Sequence, residues 1–239
     1  MPLPKIATPT YELELPSTRK PIHYRPFLVK EEKLLVLALE SEDIKEITTA
    51  IKNVIKACVK TRGIKVESLP TFDIEYLFLN IRGKSVGEDI EVNLMCPDDG
   101  KTQVPVTISI DDINIQRTEG HINKIKLDDS LMMEMKYPSL GEFIKNNFDF
   151  SEENVMSQSF DLIASCIDKI YNEEEVWSMG DCTKKEINTF LESMNSSQFK
   201  EIEKFFETMP KLSHTVKLTN PNTKVESEVV MEGLSSFFG

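Results

Sequence analysis

Two apolar runs of period two, separated by a turn that only a few residue types can make, constrain the chain more than any other feature. Ile90, Val92 and Leu94 alternate with polar residues, Cys96-Pro97-Asp98-Asp99-Gly100 supplies the turn, and Val104, Val106, Ile108 and Ile110 alternate again. Alternation at this period places one face of each strand against a core, and Pro followed by Asp and Gly favours reversal over continuation. The segment from about residue 88 to 110 is therefore a β-hairpin. A second one is expected near 213–232, where Thr215 to Leu218 faces Val225 to Val230 across Asn220-Pro221-Asn222-Thr223. A third, shorter hairpin pairs Thr10 to Leu15 with Ile22 to Phe27.

Between the hairpins the period changes to that of helices. Leu34, Leu35, Ala38 and Leu39 share a stripe, and Ser41 or Asp43 can cap a following helix through Cys58, so two packed helices are expected. The apolar run from Phe72 to Ile81 fits a buried helix with Gly83 as its C-cap, with a strand as the alternative. Ile122 to Leu127 and Leu131 to Tyr137 read as strands around Asp128-Asp129-Ser130. Three more helices follow: one from Ser151 through Tyr171, one opened by the Thr183 and Glu186 capping box, and one from Ser196 or Ser197 to about Met209. No fixed-period repeat and no low-complexity linker interrupts the chain. The fold class is thus α+β: residues 1–239 form a single domain, a helical body with several antiparallel hairpins.

Charge narrows the function. With 28 Lys+Arg against 40 Asp+Glu the formal charge is -12, which repels phosphate backbones and anionic lipid. Nucleic acid and membrane are not expected partners, and no apolar stretch approaches bilayer-spanning length. Lys52, Lys56 and Lys60 fall at helical spacing and are expected to form a solvated face, with contact to an acidic partner or phosphate as the alternative. Cys58, Cys96, Cys166 and Cys182 are too sparse for a disulfide framework and are read as free thiols.

Catalytic signatures are missing from the sequence. His23, His121 and His214 sit in no nucleophile motif, no glycine-rich phosphate loop occurs, and the acidic pairs lack calcium-loop spacing. A wall hydrolase would need two carboxylates placed across a sugar-sized cleft, and none is marked out. The expectation is a non-enzymatic binding protein with no cofactor and no metal.

Three segments carry a family resemblance: the opening from Pro4 to Tyr11, the stretch Tyr24-Arg25-Pro26-Phe27-Leu28-Val29-Lys30-Glu31-Glu32-Lys33, and the ending Glu232-Gly233-Leu234-Ser235-Ser236-Phe237-Phe238-Gly239. In these the chain resembles the baseplate hub assembly proteins of T-even-type contractile-tailed bacteriophages, over nearly its whole length. The resemblance implies an assembly factor, or chaperone, that binds phage baseplate hub proteins in the host cell cytoplasm, with a structural subunit retained in the virion tail baseplate as the alternative. It also implies that the two main hairpins descend from Cys-Pro-x-Cys-Gly zinc-ribbon knuckles. Here the corresponding turns hold Cys96, Asp99, Asn220 and Thr223, so one thiol stands where four soft ligands are needed and zinc is expected to be lost. Two apolar groups are candidates for partner binding. Leu234, Phe237 and Phe238 form a terminal tail that either docks on a partner or plugs the chain's own core, and Met132, Met133 and Met135 offer an adaptable strand.

Overall fold

The computed structural model describes residues 6–141 and 155–237. Among these are six α-helices and eleven strands in small antiparallel sheets, the α+β class expected from the sequence. Where one body was expected, the chain forms two compact units. The first comprises residues 1–66, 72–116 and 211–239, and the second 67–71 and 117–210.

In the first unit, β1 (Tyr11–Glu14) and β2 (Pro21–Tyr24) pair as a hairpin. Helices α1 (Val29–Glu40) and α2 (Ile44–Cys58) follow. Asp43, not Ser41, is the N-cap of α2, accepting from the Lys45 amide at 2.7 Å. The run after Pro70 resolves as helix α3 (Thr71–Val86), which continues through Gly83. A Cβ at Gly83 would lie 2.9 Å from Ile110 Cδ1, so this glycine serves close packing; Gly87, at φ +130°, follows the last helical residue. The expected hairpins are β3 (Asp89–Met95) with β4 (Gln103–Ser109), and β10 (Lys211–Thr219) with β11 (Glu226–Glu232). A short strand that the sequence did not signal, β5 (Asn114–Gln116), pairs with the start of β10. Leu79, Ile90, Ile108, Ile113, Leu212 and Phe237 close this core.

The second unit is built on a four-stranded sheet in the order β6 (Lys124–Lys126), β7 (Met132–Met135), β8 (Ile167–Tyr171) and β9 (Val176–Ser178). The helix expected through Tyr171 stops earlier. Helix α4 (Val155–Ser165) ends and the chain becomes β8, because Ile167, Ile170 and Tyr171 gain cross-strand partners on β7. The proposed start of that helix, Ser151 to Asn154, lies outside the described residues. Helix α5 (Lys184–Glu192) opens with the Thr183 and Glu186 capping box, and α6 (Ser196–Thr208) is capped by Asn195. Ile202 and Phe205 of α6 pack with Met133, Met135, Cys166 and Ile167 in the core.

Candidate functional site

The turns of the two main hairpins meet. Asn220 Nδ2 donates to both carboxylate oxygens of Asp98, at 3.0 and 3.1 Å, and to Asp99 Oδ2 at 3.0 Å. Thr223 Oγ1 donates to Asp98 Oδ2 at 2.5 Å, and Asn222 Nδ2 to Thr102 Oγ1 at 3.1 Å. Each turn is also closed on itself, Gly100 N donating to Cys96 O and Lys224 N to Asn220 O. Asn220 is 1% exposed, so its amide has exchanged water for carboxylate partners. Hydrogen bonds to Asp99 from the Thr102 side chain and backbone, the Lys101 amide and Asn220 hold its carboxyl well below the usual range. The same holds for Asp98 through Thr223 and Asn220.

These turns do not fit zinc. The four knuckle positions supply one thiol, one carboxylate, one amide and one hydroxyl, and the last three are committed to the hydrogen bonds just described. Burial and the negative charges of Asp98 and Asp99 push the Cys96 thiol up, away from the thiolate that a metal would require. Among the described residues, no group of three or more His, Cys, Asp or Glu side chains is placed to hold a metal ion. A hydrogen-bonded staple joins the hairpins where a zinc ribbon would place its ion.

The stretch from Tyr24 to Lys33 is equally committed to architecture. Arg25 Nη2 meets Glu31 Oε1 at 2.9 Å with both side chains buried, and Arg25 Nη1 donates to Pro26 O at 2.8 Å. Glu31 also accepts from the Leu28 amide at 2.7 Å, at the start of α1. Burial alone would raise the Glu31 carboxyl, but the hydrogen bonds from Arg25 and Leu28 outweigh it and hold it low. Cys58, 3.7 Å from Arg25 Nη1, is driven the other way by burial, to about 11, and is an unreactive thiol. The motif therefore fixes the passage from β2 into α1.

A family model described as "T4 bacteriophage base plate protein" matches residues 8–239. The chain belongs to that family. No curated protein and no solved structure matches it. Membership gives this baseplate family chain other baseplate components as its partners in general terms.

The side chains singled out for partner binding are, in large part, core. Leu234 and Phe237 lie in the turn that follows β11, 9% and 1% exposed, and the Leu234 amide donates to Glu75 Oε1 at 3.2 Å. Phe237 packs with Leu79, Ile113 and Leu212 in the first unit, while Phe238 lies outside the described residues. The tail as described is a plug, not a free arm. Met133 and Met135 are buried as well and Met132 is half-buried, because β7 is paired on both sides and alternate residues face the core.

Exposed apolar surface of the baseplate protein lies elsewhere. In the second unit a recess of about 300 Å³ is lined by Leu131, Ile170, Trp177, Met179, Ile187 and Phe190. Trp177, the only tryptophan in the chain, is 39% exposed beside it. In the first unit Leu34 and Leu39 of α1, expected on a packed stripe with Leu35 and Ala38, are about half exposed, as are Val36 and Leu37. The sequence marked these positions as apolar, but apolar spacing does not say which side of a helix its own chain covers. No helix among the described residues is long and apolar enough to cross a membrane.

Proposed function

We propose that this chain is a non-enzymatic phage tail assembly factor that binds hub components while the central hub of the baseplate forms. The observation that carries the reading is the family match, which extends over residues 8–239. The described geometry supports binding over catalysis. The carboxylates with depressed pKa, Glu31, Asp98, Asp99, Asp128 and Glu186, spend their hydrogen bonds on a buried ion pair, turns and helix starts. The apolar recess beside Trp177 is the kind of surface that a protein partner covers. Capture with the tagged chain from cells producing tail parts tests the proposal, which requires hub proteins among the captured baseplate components. Capture of peripheral baseplate components alone would contradict it.

A second reading is favoured by the family description itself, which names a baseplate part. On that reading the chain is a structural hub subunit retained in the virion. The two differ in one measurable quantity, the copy number of the chain in finished particles.

A further inference from the structure

We infer that the α1–α2 hairpin is a self-association surface on which a second copy of this chain packs to complete a four-helix bundle. Two helices of 12 and 15 residues joined by three residues form an antiparallel pair about 18 to 22 Å long. Between them runs an open groove of about 480 Å³, with Leu34, Leu37 and Ala38 on one side and Thr49, Ala50 and Asn53 on the other. Leu34 and Leu37 are 52% and 53% exposed, and Val36 and Leu39 widen the apolar surface across α1. A helix that is apolar on most sides belongs in an interior, and here its own chain covers only part of it.

Charge selects the occupant. The turn end of the hairpin carries Glu40, Glu42, Asp43 and Glu46 against Lys45, while the open end carries, against Glu32, Lys30 and Lys33 on the stripe of Leu34 and Leu37 and Lys56 on the stripe of Ala50 and Asn53. Lys30 also lies 3.4 Å from the buried Glu31. A two-fold axis across the groove lays one hairpin antiparallel on another, so the acidic end of each copy meets the basic end of its partner. The surface is thus complementary to itself. The net charge of -12 per chain opposes association at long range, but at physiological salt charges beyond about 8 Å are screened and the local pairing governs. A face about 20 Å on each side, roughly 800 Å² over both partners, falls in the weak, transient class of interface, so the dimer is expected to dissociate in the micromolar range.

Sedimentation of the full chain from about 1 to 200 μM, the range in which such an interface half-dissociates, decides the matter. The expected result is a reversible monomer–dimer equilibrium. Leu34→Lys with Leu37→Lys should abolish it while leaving the circular dichroism spectrum of a folded chain. Glu42→Lys with Glu46→Lys should weaken it at least about tenfold, as should Lys33→Glu with Lys56→Glu, and the four changes together should restore it. A wild-type chain that stays monomeric over the whole range overturns the inference. So does a dimer that the leucine substitutions or the charge changes leave intact.

Discussion

Gln116 and Lys211 are direct partners across β5 and β10, and the chain from Arg117 to Pro210, most of the second unit, is inserted between them. Cross-strand partners lie about 5 Å apart at Cα, a gap that a short turn spans. Insertions with adjacent ends are the arrangement in which a domain can be cut out with little disturbance to its host. Joining Gln116 to Lys211 by a Gly/Ser turn in place of 117–210 is expected to give a chain that melts cooperatively with the β3, β4, β10 and β11 core intact. A noncooperative melt would show that the first unit does not fold without the second.

The staple between the hairpin turns predicts coupling. Asp98→Ala and Asn220→Ala should each lower the melting temperature, and together they should cost less than the sum, since either change already breaks the shared bonds. The Asp98 and Asp99 carboxyls have depressed folded pKa values, so their contribution is present above the ordinary carboxylate range and fades as pH falls through the lowered values. Acid melts of the wild type and the double variant should therefore converge.

The same turns make a metal prediction. Asp99→Cys, Asn220→Cys and Thr223→Cys beside Cys96 would place four thiols at the knuckle positions. That variant is expected to bind one zinc per chain and to melt higher with zinc than after chelation, whereas the wild type should hold no stoichiometric zinc by elemental analysis. Stoichiometric zinc in the wild type would mean that its turns are not a metal-free staple.

Removal of the terminal plug should destabilise. Phe237→Ala is expected to cost about 3–5 kcal/mol in urea unfolding, the usual range for a buried Phe. Truncation after Gly233 should cost at least as much, because Leu234 goes with it. A truncated chain with unchanged stability would return Leu234 and Phe237 to the role of a docking arm.

Glu75 gives a pH dependence of opposite sign to that of the staple. Burial raises its carboxyl above the ordinary value, more than the Leu234 amide lowers it. Its contribution to stability is full below the unfolded pKa and is lost as pH rises through the folded one. Glu75→Gln keeps an acceptor for Leu234 without the charge, so it should raise the melting temperature at pH 7 relative to wild type, by a margin that shrinks toward pH 4. A constant margin would point to shape, not ionisation.

Elements with local signatures were legible in the sequence: the two main hairpins from alternation and turn chemistry, α5 from its capping box, and α6 from its polar start at Ser196, though not its Asn195 cap. What the sequence hid was set by tertiary partners. Ile167 to Tyr171 continues an apolar helical pattern and becomes a strand only because β7 lies beside it, and β5 is three residues that owe their form to β10. Gly83 looked like a cap and is a contact with Ile110. Leu234 and Phe237 were recognisable as apolar, but Phe237 is buried with Leu79 and Leu212 and the Leu234 amide is held by Glu75, partners that no local pattern announces. The staple of Asp98, Asp99, Asn220 and Thr223 was visible only as missing ligands.

The proposed assembly role requires the chain while the hub forms and releases it before the particle is finished. Quantitative mass spectrometry of tail intermediates and purified virions from the same infection measures this most directly. The chain is expected in hub-containing intermediates and absent from finished particles; a fixed, stoichiometric copy number in virions would contradict the assembly role and make the chain a structural subunit of the baseplate.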